Sequence, residues 1–199
     1  MKPTEYRQLL IETLEALDLA AVDRLVEVFL DAHARGAQIF TMGNGGSGAS
    51  ASHAAGDFLK GASYGLEKRF KMICLNDNVP SMMAVANDIG WDDIFVEPLQ
   101  NYLRPGDVVI GISGSGNSRN VLKAAEFAKA HGATLVGMTG FKGGKLRELA
   151  DLSIHSVAMD MEVAEDVHMA VFNMVKKACM ARLMGDAPSM GGTYDARIS

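Results

Sequence analysis

Two cysteines, five prolines and one tryptophan are all that the 199 residues contain of those types. Cys74 and Cys179 sit in apolar surroundings, so they read as buried free thiols, and a disulfide-stapled secreted scaffold is not expected. No apolar run reaches the roughly 18 residues of a membrane span. The opening Met1-Lys2-Pro3-Thr4-Glu5 lacks the apolar stretch of a signal peptide. Positive charge is not in excess either: 19 Lys and Arg stand against 24 Asp and Glu, a net charge of −5, which leaves no basic footprint for nucleic acid. No glycine loop leads into Lys-Ser or Lys-Thr, so the triphosphate-and-magnesium pattern is missing and no nucleotide cofactor is expected. These absences point to a soluble cytoplasmic protein that binds neither membrane nor nucleic acid.

Short apolar runs are what the chain does contain. Segments 37–42, 70–75, 108–112, 134–138 and 152–157 are rich in Val, Ile and Leu, and helical patterns separate them near 48–60, 80–87, 94–103, 118–131 and 145–149. Strands without polar alternation, interleaved with helices, indicate a parallel sheet covered on both faces. Two amphipathic helices precede it, over 4–16 and 20–34, the second stopped by Gly36. A long helix, about 161–184, closes the domain. The expected division is therefore 1–36 for the leading helices, 37–185 for a three-layer α/β domain with a five-stranded, flavodoxin-like parallel sheet, and 186–199 for a tail without a periodic face.

Two loops carry the chemistry. Gly43-Asn44-Gly45-Gly46-Ser47 follows the first strand and opens a helix, where glycines let the backbone approach a ligand and the free N–H groups favour an anion. Ser113-Gly114-Ser115-Gly116-Asn117-Ser118 follows the third strand. In a flavodoxin-like order these strands are neighbours at the switch point, so both loops face one crevice. Hydroxyls from Ser47, Ser113, Ser115 and Ser118, with no Lys in either loop, suit a phosphate monoester. Serine and glycine also populate ordinary turns; two such loops at one switch point favour phosphate binding.

The combination of Gly-Asn-Gly-Gly-Ser, His53, Asn87-Asp88-x-Gly90, Gly111-Ile112-Ser113-Gly114-Ser115-Gly116-Asn117-Ser118 and Thr139-Gly140 resembles the sugar isomerase (SIS) domain. More narrowly it is similar to the phosphoheptose isomerase subfamily and its relative, the replication-initiator-associating protein. The resemblance implies a homotetramer with sites built between subunits. It also implies a phosphorylated sugar held by Ser47, Ser113, Gly114, Ser115 and Ser118, with Asn44, Gly45, Gly46 and Asp88 lining the pocket. In phosphoheptose isomerases a Glu on the helix after the first loop and a His on the last helix move the proton, and some members bind zinc there.

Carried onto this chain, the first-helix His is His53 and the Glu position is Asp57. A Gln position is Glu165, and the last-helix His position is Asn173, as in the replication-initiator relatives. Ser50, Gly61 and Gly114 replace an expected Asp, Arg and Thr. Asp57 or Glu165 is then the expected base, and His53 an acid or metal ligand. His53 and Asp57 are four apart and Glu165 and His168 three apart, each pair on one helical face, which makes the four a candidate set for zinc or another divalent ion. The expected activity is aldose–ketose isomerisation of sedoheptulose 7-phosphate or a similar sugar phosphate. The alternative is a catalytically silent phosphosugar-binding protein with a protein partner.

Overall fold

Val, Ile and Leu concentrated in runs of four to six residues favour extended structure that can be covered from both sides. In the computed structural model, which describes residues 1–185, these runs form β1 (Gln38–Gly43), β2 (Lys71–Cys74), β3 (Val108–Ser113), β4 (Thr134–Thr139) and β5 (Leu152–His155). All pair in parallel, in the order β2-β1-β3-β4-β5. This is the expected flavodoxin-like sheet. The expected tail, 186–199, lies outside the described residues.

Central β3 is buried at every position and β1 at all but its first, whereas edge strand β2 alternates between exposed and buried. That contrast explains why the central runs read as continuous apolar stretches. The register sets Met42 beside Gly111 and Gly43 beside Ile112, so both strands end at the same level and release their loops into one crevice.

The helices α1 (Pro3–Glu15), α2 (Leu19–Arg35), α3 (Gly45–Gly56) and α8 (Met161–Met184) cover one face of the sheet. There Phe29, Phe58 and Phe70 cluster, with ring centroids 4.6 Å apart for the first two and 5.1 Å for the last two. On the other face lie α5 (Val96–Tyr102), α6 (Arg119–Ala130) and α7 (Gly144–Leu149), with α4 (Val79–Asp88) at its margin. Local signals end these helices as their chemistry requires. Asp18 accepts from the Ala21 N–H at the start of α2, and Gly36 closes it at φ 70°, a left-handed conformation that suits glycine. Asp160 accepts from the Val163 N–H at the start of α8.

Two boundaries depart from the sequence expectation. Helix α3 starts at Gly45 rather than near residue 48, and its end widens into a π-helical turn over Asp57–Gly61, closed by Ala62 N–H donating to the Asp57 carbonyl at 2.9 Å. The segment expected as one helix from Ile94 begins only at Val96, after a short 3-10 turn over Trp91–Asp93.

The end of the sheet opposite the crevice is tied by two carboxylates, the buried Asp107 and the exposed Asp151. Asp107 accepts from the Gln38 N–H at 2.8 Å and the Arg104 N–H at 2.9 Å, linking the start of β1 to the turn before β3. Asp151 does the same for Leu135 on β4, at 2.9 Å. Removing the Asp107 carboxylate leaves two backbone donors without partners, at about 1–3 kcal/mol for such a buried group. Asp107→Ala is therefore expected to lower the unfolding free energy by about 2 kcal/mol in urea titrations, with the far-UV spectrum of the folded state unchanged.

Candidate active site

Above β1 and β3, the two loops enclose a cavity of about 130 Å3 lined by Asn44, Ser47, Ile112, Ser113, Gly114, Ser115, Ser118 and Met161. Ser113 Oγ lies 3.0 Å from Ser118 Oγ and 3.5 Å from Ser115 Oγ, and Ser115 Oγ accepts from the Asn117 N–H at 3.2 Å. Three hydroxyls converge at the start of α6, where an oxyanion would meet them together with the first-turn N–H groups. Ser118 occupies the N-cap position of α6 but makes no side-chain cap bond. Its hydroxyl turns to Ser113. Asn44 caps α3 in backbone geometry only, because its side-chain amide exchanges two 2.9 Å hydrogen bonds with the amide of Asn120. That exchange fixes the floor between the loops.

Gly114 stands where the resemblance implies Thr. A Cβ there would overlap the Met161 sulfur, so Met161 from the start of α8 occupies the space a larger residue would need.

The first glycine loop is occupied from within the chain. A Cβ at Gly46 would overlap the carboxylate of Glu165, which therefore rests directly on the first turn of α3. There Ser47, through its N–H and its hydroxyl, favours the ionised carboxylate. Burial raises the Glu165 carboxyl above its ordinary range, with Glu162 and Asp166 adding to the shift and Ser47 opposing it. The anion that the α3 N-terminus attracts is thus Glu165 itself, and the cap that Asn44 withholds comes from α8.

A second group of polar side chains lies at the other end of α3. His53 Nε2 is 3.5 Å from Asp57 Oδ2, and Lys176 Nζ is 2.8 Å from Asp57 Oδ1. Helices α3 and α8 run side by side in the same direction, Glu165 meeting Gly46 near one end and Lys176 meeting Asp57 near the other. Sequence reasoning missed Lys176. Its signal was Gly61: a Cβ there would lie 2.8 Å from Lys176 Cε and 2.9 Å from its Nζ, so the absent side chain at 61 leaves the room that the lysine fills. Asn173 is exposed one turn earlier on α8.

The four residues expected to share a metal are not assembled within a chain. Glu165 is bound at the start of α3 and His53 with Asp57 at its end. His168 is fully buried, with Nε2 3.1 Å from the Thr139 carbonyl oxygen and Nδ1 without a partner among the described residues. Among the described residues no three His, Cys, Asp or Glu side chains group as metal ligands do. This donor set does not fit the zinc expectation in a single chain. Asp88, expected in the pocket, is exposed at the end of α4 and accepts from the Asn87 amide. The thiols of Cys74 and Cys179 are free and buried, as expected.

The sheet order and the hydroxyl-lined crevice at its switch point define a doubly wound parallel α/β domain. A family model described as SIS domain matches residues 4–140, and the chain belongs to that family. It is 38% identical over 140 residues to a phosphoheptose isomerase of Rhodospirillum rubrum, covering 70% of this chain and 74% of that protein. It is 34% identical over 168 residues to one of Geobacter sulfurreducens, covering 82% and 88%. A solved phosphoheptose isomerase from Francisella tularensis superposes with a TM-score of 0.81 at 24% identity, over 88% of this chain and 93% of that one.

His168 carries a pH consequence. Burial, with the neighbouring His155 adding to it, lowers its pKa from 6.5 to about 4, against the Thr139 hydrogen bond. The unfolded chain binds this proton from about pH 6.5 downward and the folded chain only near 4, so the contribution is complete above that window and is lost as pH falls through it. Between those limits the wild type is expected to lose roughly 2–3 kcal/mol through this group. His168→Gln should flatten that limb in urea titrations at stepped pH, while His155, which also titrates low, keeps its smaller share.

Proposed function

We propose that this SIS-family chain is a sugar-phosphate isomerase that interconverts a ketoheptose 7-phosphate, or a similar sugar phosphate, with its aldose. The observation that carries the reading is the convergence of Ser113, Ser115 and Ser118 in one cavity with Asn44 and Ser47, a neutral-donor cradle for a single phosphate. The phosphoheptose isomerases similar to the chain over most of its length support the same activity.

Aldose–ketose exchange moves a proton between adjacent carbons through an enediol, which needs a base and a donor for the oxyanion. Asp57 is the base, because Glu165 is held by the α3 N-terminus. It takes the proton from the carbon beside the carbonyl and returns it to the neighbouring carbon. The Lys176 ammonium, paired with Asp57 at 2.8 Å, donates to the enediolate oxygen. His53 passes the second proton between the two oxygens. No step runs through a metal.

Ser47 and Asp57 are ten residues apart on α3 and its continuation, about 15 Å along the axis at 1.5 Å per residue. A seven-carbon chain with bonds of about 1.5 Å spans roughly 9 Å from carbonyl to phosphorus. A single chain would reach both ends only with a nearly fully extended sugar, a demand that a site shared between copies removes. The proposed site pairs the serine cradle of one copy with the His53, Asp57 and Lys176 group of another, in a homo-oligomer that the family resemblance makes a tetramer. An apolar margin supports association: α4 buries no residue, and Val79, Met83, Ile89 and Trp91 are exposed, a surface that a second copy would cover.

The test is turnover of sedoheptulose 7-phosphate. Asp57→Asn should lower kcat about 10²–10⁴-fold with KM nearly unchanged. Ser113→Ala combined with Ser118→Ala should raise KM about tenfold or more through lost phosphate bonds. Assayed well below the raised KM, mixing the two variants should add turnover approaching a quarter of wild type if sites are shared between copies, and nothing above the sum of the two variants if each chain works alone. Absence of turnover in the wild type, with the sugar phosphate still raising its Tm, would replace the isomerase reading with that of a silent binding protein.

A further inference from the structure

The geometry points to Glu165 as the residue that restricts this site to a monophosphate: its carboxylate fills, from within the chain, the anion position at the start of α3 that a diphosphate would otherwise use. This rests on the proposed seating of a phosphate at the Ser113–Ser118 loop. Two anion positions meet at one cavity of about 130 Å3, one at the start of α6 and one at the start of α3. Such paired helix starts at a switch point are suited to two linked phosphoryl groups. Here the second position is already taken. The Glu165 carboxylate lies over Gly46, where any side chain would exclude it, and beside Ser47, which favours its ionised form.

Three further features fit this role. Asn44, the residue placed to cap α3, has its side chain tied to Asn120 and leaves the cap to Glu165. Gly46 supplies the absent Cβ that lets a residue of another helix reach the first turn. Among the described residues no cation is paired with Glu165: the charged groups acting on it are Glu162 and Asp166, both acidic. A second phosphoryl group arriving at this point would meet a fixed negative charge with more behind it, and close like charges in a partly buried site repel strongly. A single phosphate at the serine cradle leaves that carboxylate in place.

The experiment uses inorganic phosphate, inorganic pyrophosphate and sedoheptulose 7-phosphate, titrated calorimetrically into the full-length wild type and Glu165→Gln. The amide keeps an oxygen that can accept from Ser47 and removes only the charge. The wild type should bind phosphate at least tenfold more tightly than pyrophosphate. In Glu165→Gln the pyrophosphate affinity should rise at least tenfold, while the phosphate and sugar-phosphate affinities stay within threefold. Equal preference for pyrophosphate over phosphate in the two proteins would overturn the assignment, as would a wild type that binds pyrophosphate as tightly as phosphate. Failure of the underlying reading looks different: the wild type would then bind neither phosphate nor the sugar phosphate. A matched far-UV spectrum and a single cooperative unfolding transition in both proteins show that the charge, and not the fold, has been changed.

Discussion

Glu165 resting on the α-carbon of Gly46 joins α8 to the first turn of α3, and much of the site follows from that contact. By composition α3 is a poor helix. Gly45, Gly46, Gly48 and Gly56 each cost about 1 kcal/mol relative to Ala, and Asn44 withholds its side-chain cap. What holds the helix is its surroundings. Small residues Ser47, Gly48, Ser50, Ala51, Ala54 and Ala55 form its buried face, Thr41 on β1 donates to the Ala51 carbonyl at 3.1 Å, and Glu165 satisfies the start. Propensity gives way to packing here, as it does in most helices whose stability is tertiary.

Both helices that open onto the crevice begin with a residue whose side chain does something other than cap. Ser118 turns to Ser113, and Asn44 to Asn120. An N-cap side-chain bond is worth about 1 kcal/mol, so leaving two of them unmade at one cavity is a local sacrifice of stability. For α6 the unused donors face the serine cradle, where an oxyanion would complete them. For α3 the Glu165 carboxylate lies over that first turn. Two loops with the same glycine-serine chemistry therefore end in different states, one open to a ligand and one closed by the chain itself.

The sheet, its order and the second loop were legible in the sequence, because buried parallel strands and helix starts leave one-dimensional marks. Ser113, Ser115 and Ser118 lie together as their spacing implied. The first loop was read as an open phosphate cradle, and nothing local to Gly45, Gly46 or Ser47 tells that a carboxylate 119 residues beyond Gly46 covers them. The grouping of His168 with Glu165 failed for a similar reason. Helical spacing of three places two side chains near one another, but it does not say which of them faces the core, and His168 turns to the Thr139 carbonyl. Lys176 was invisible until α3 and α8 were known to run side by side. Its partner position, Gly61, registered only as a missing arginine.

That parallel run also gives the departures from the family pattern a common logic. Gly61 and Gly114 each lack the expected side chain, and each vacated space is filled by α8, with Lys176 in one case and Met161 in the other. The α8 charges are ordered as well: Glu165 meets the N-terminal end of α3 and Lys176 meets Asp57 just past its C-terminal end. Negative charge at the positive end of a helix and positive charge at the negative end both lower its energy. One helix thus sets the electrostatics of both ends of its neighbour, so a change at Glu165 or Lys176 alters the stability of α3 together with the chemistry proposed for that end. Substitutions at Asp57, which does not bridge the crevice end, separate the two effects more cleanly.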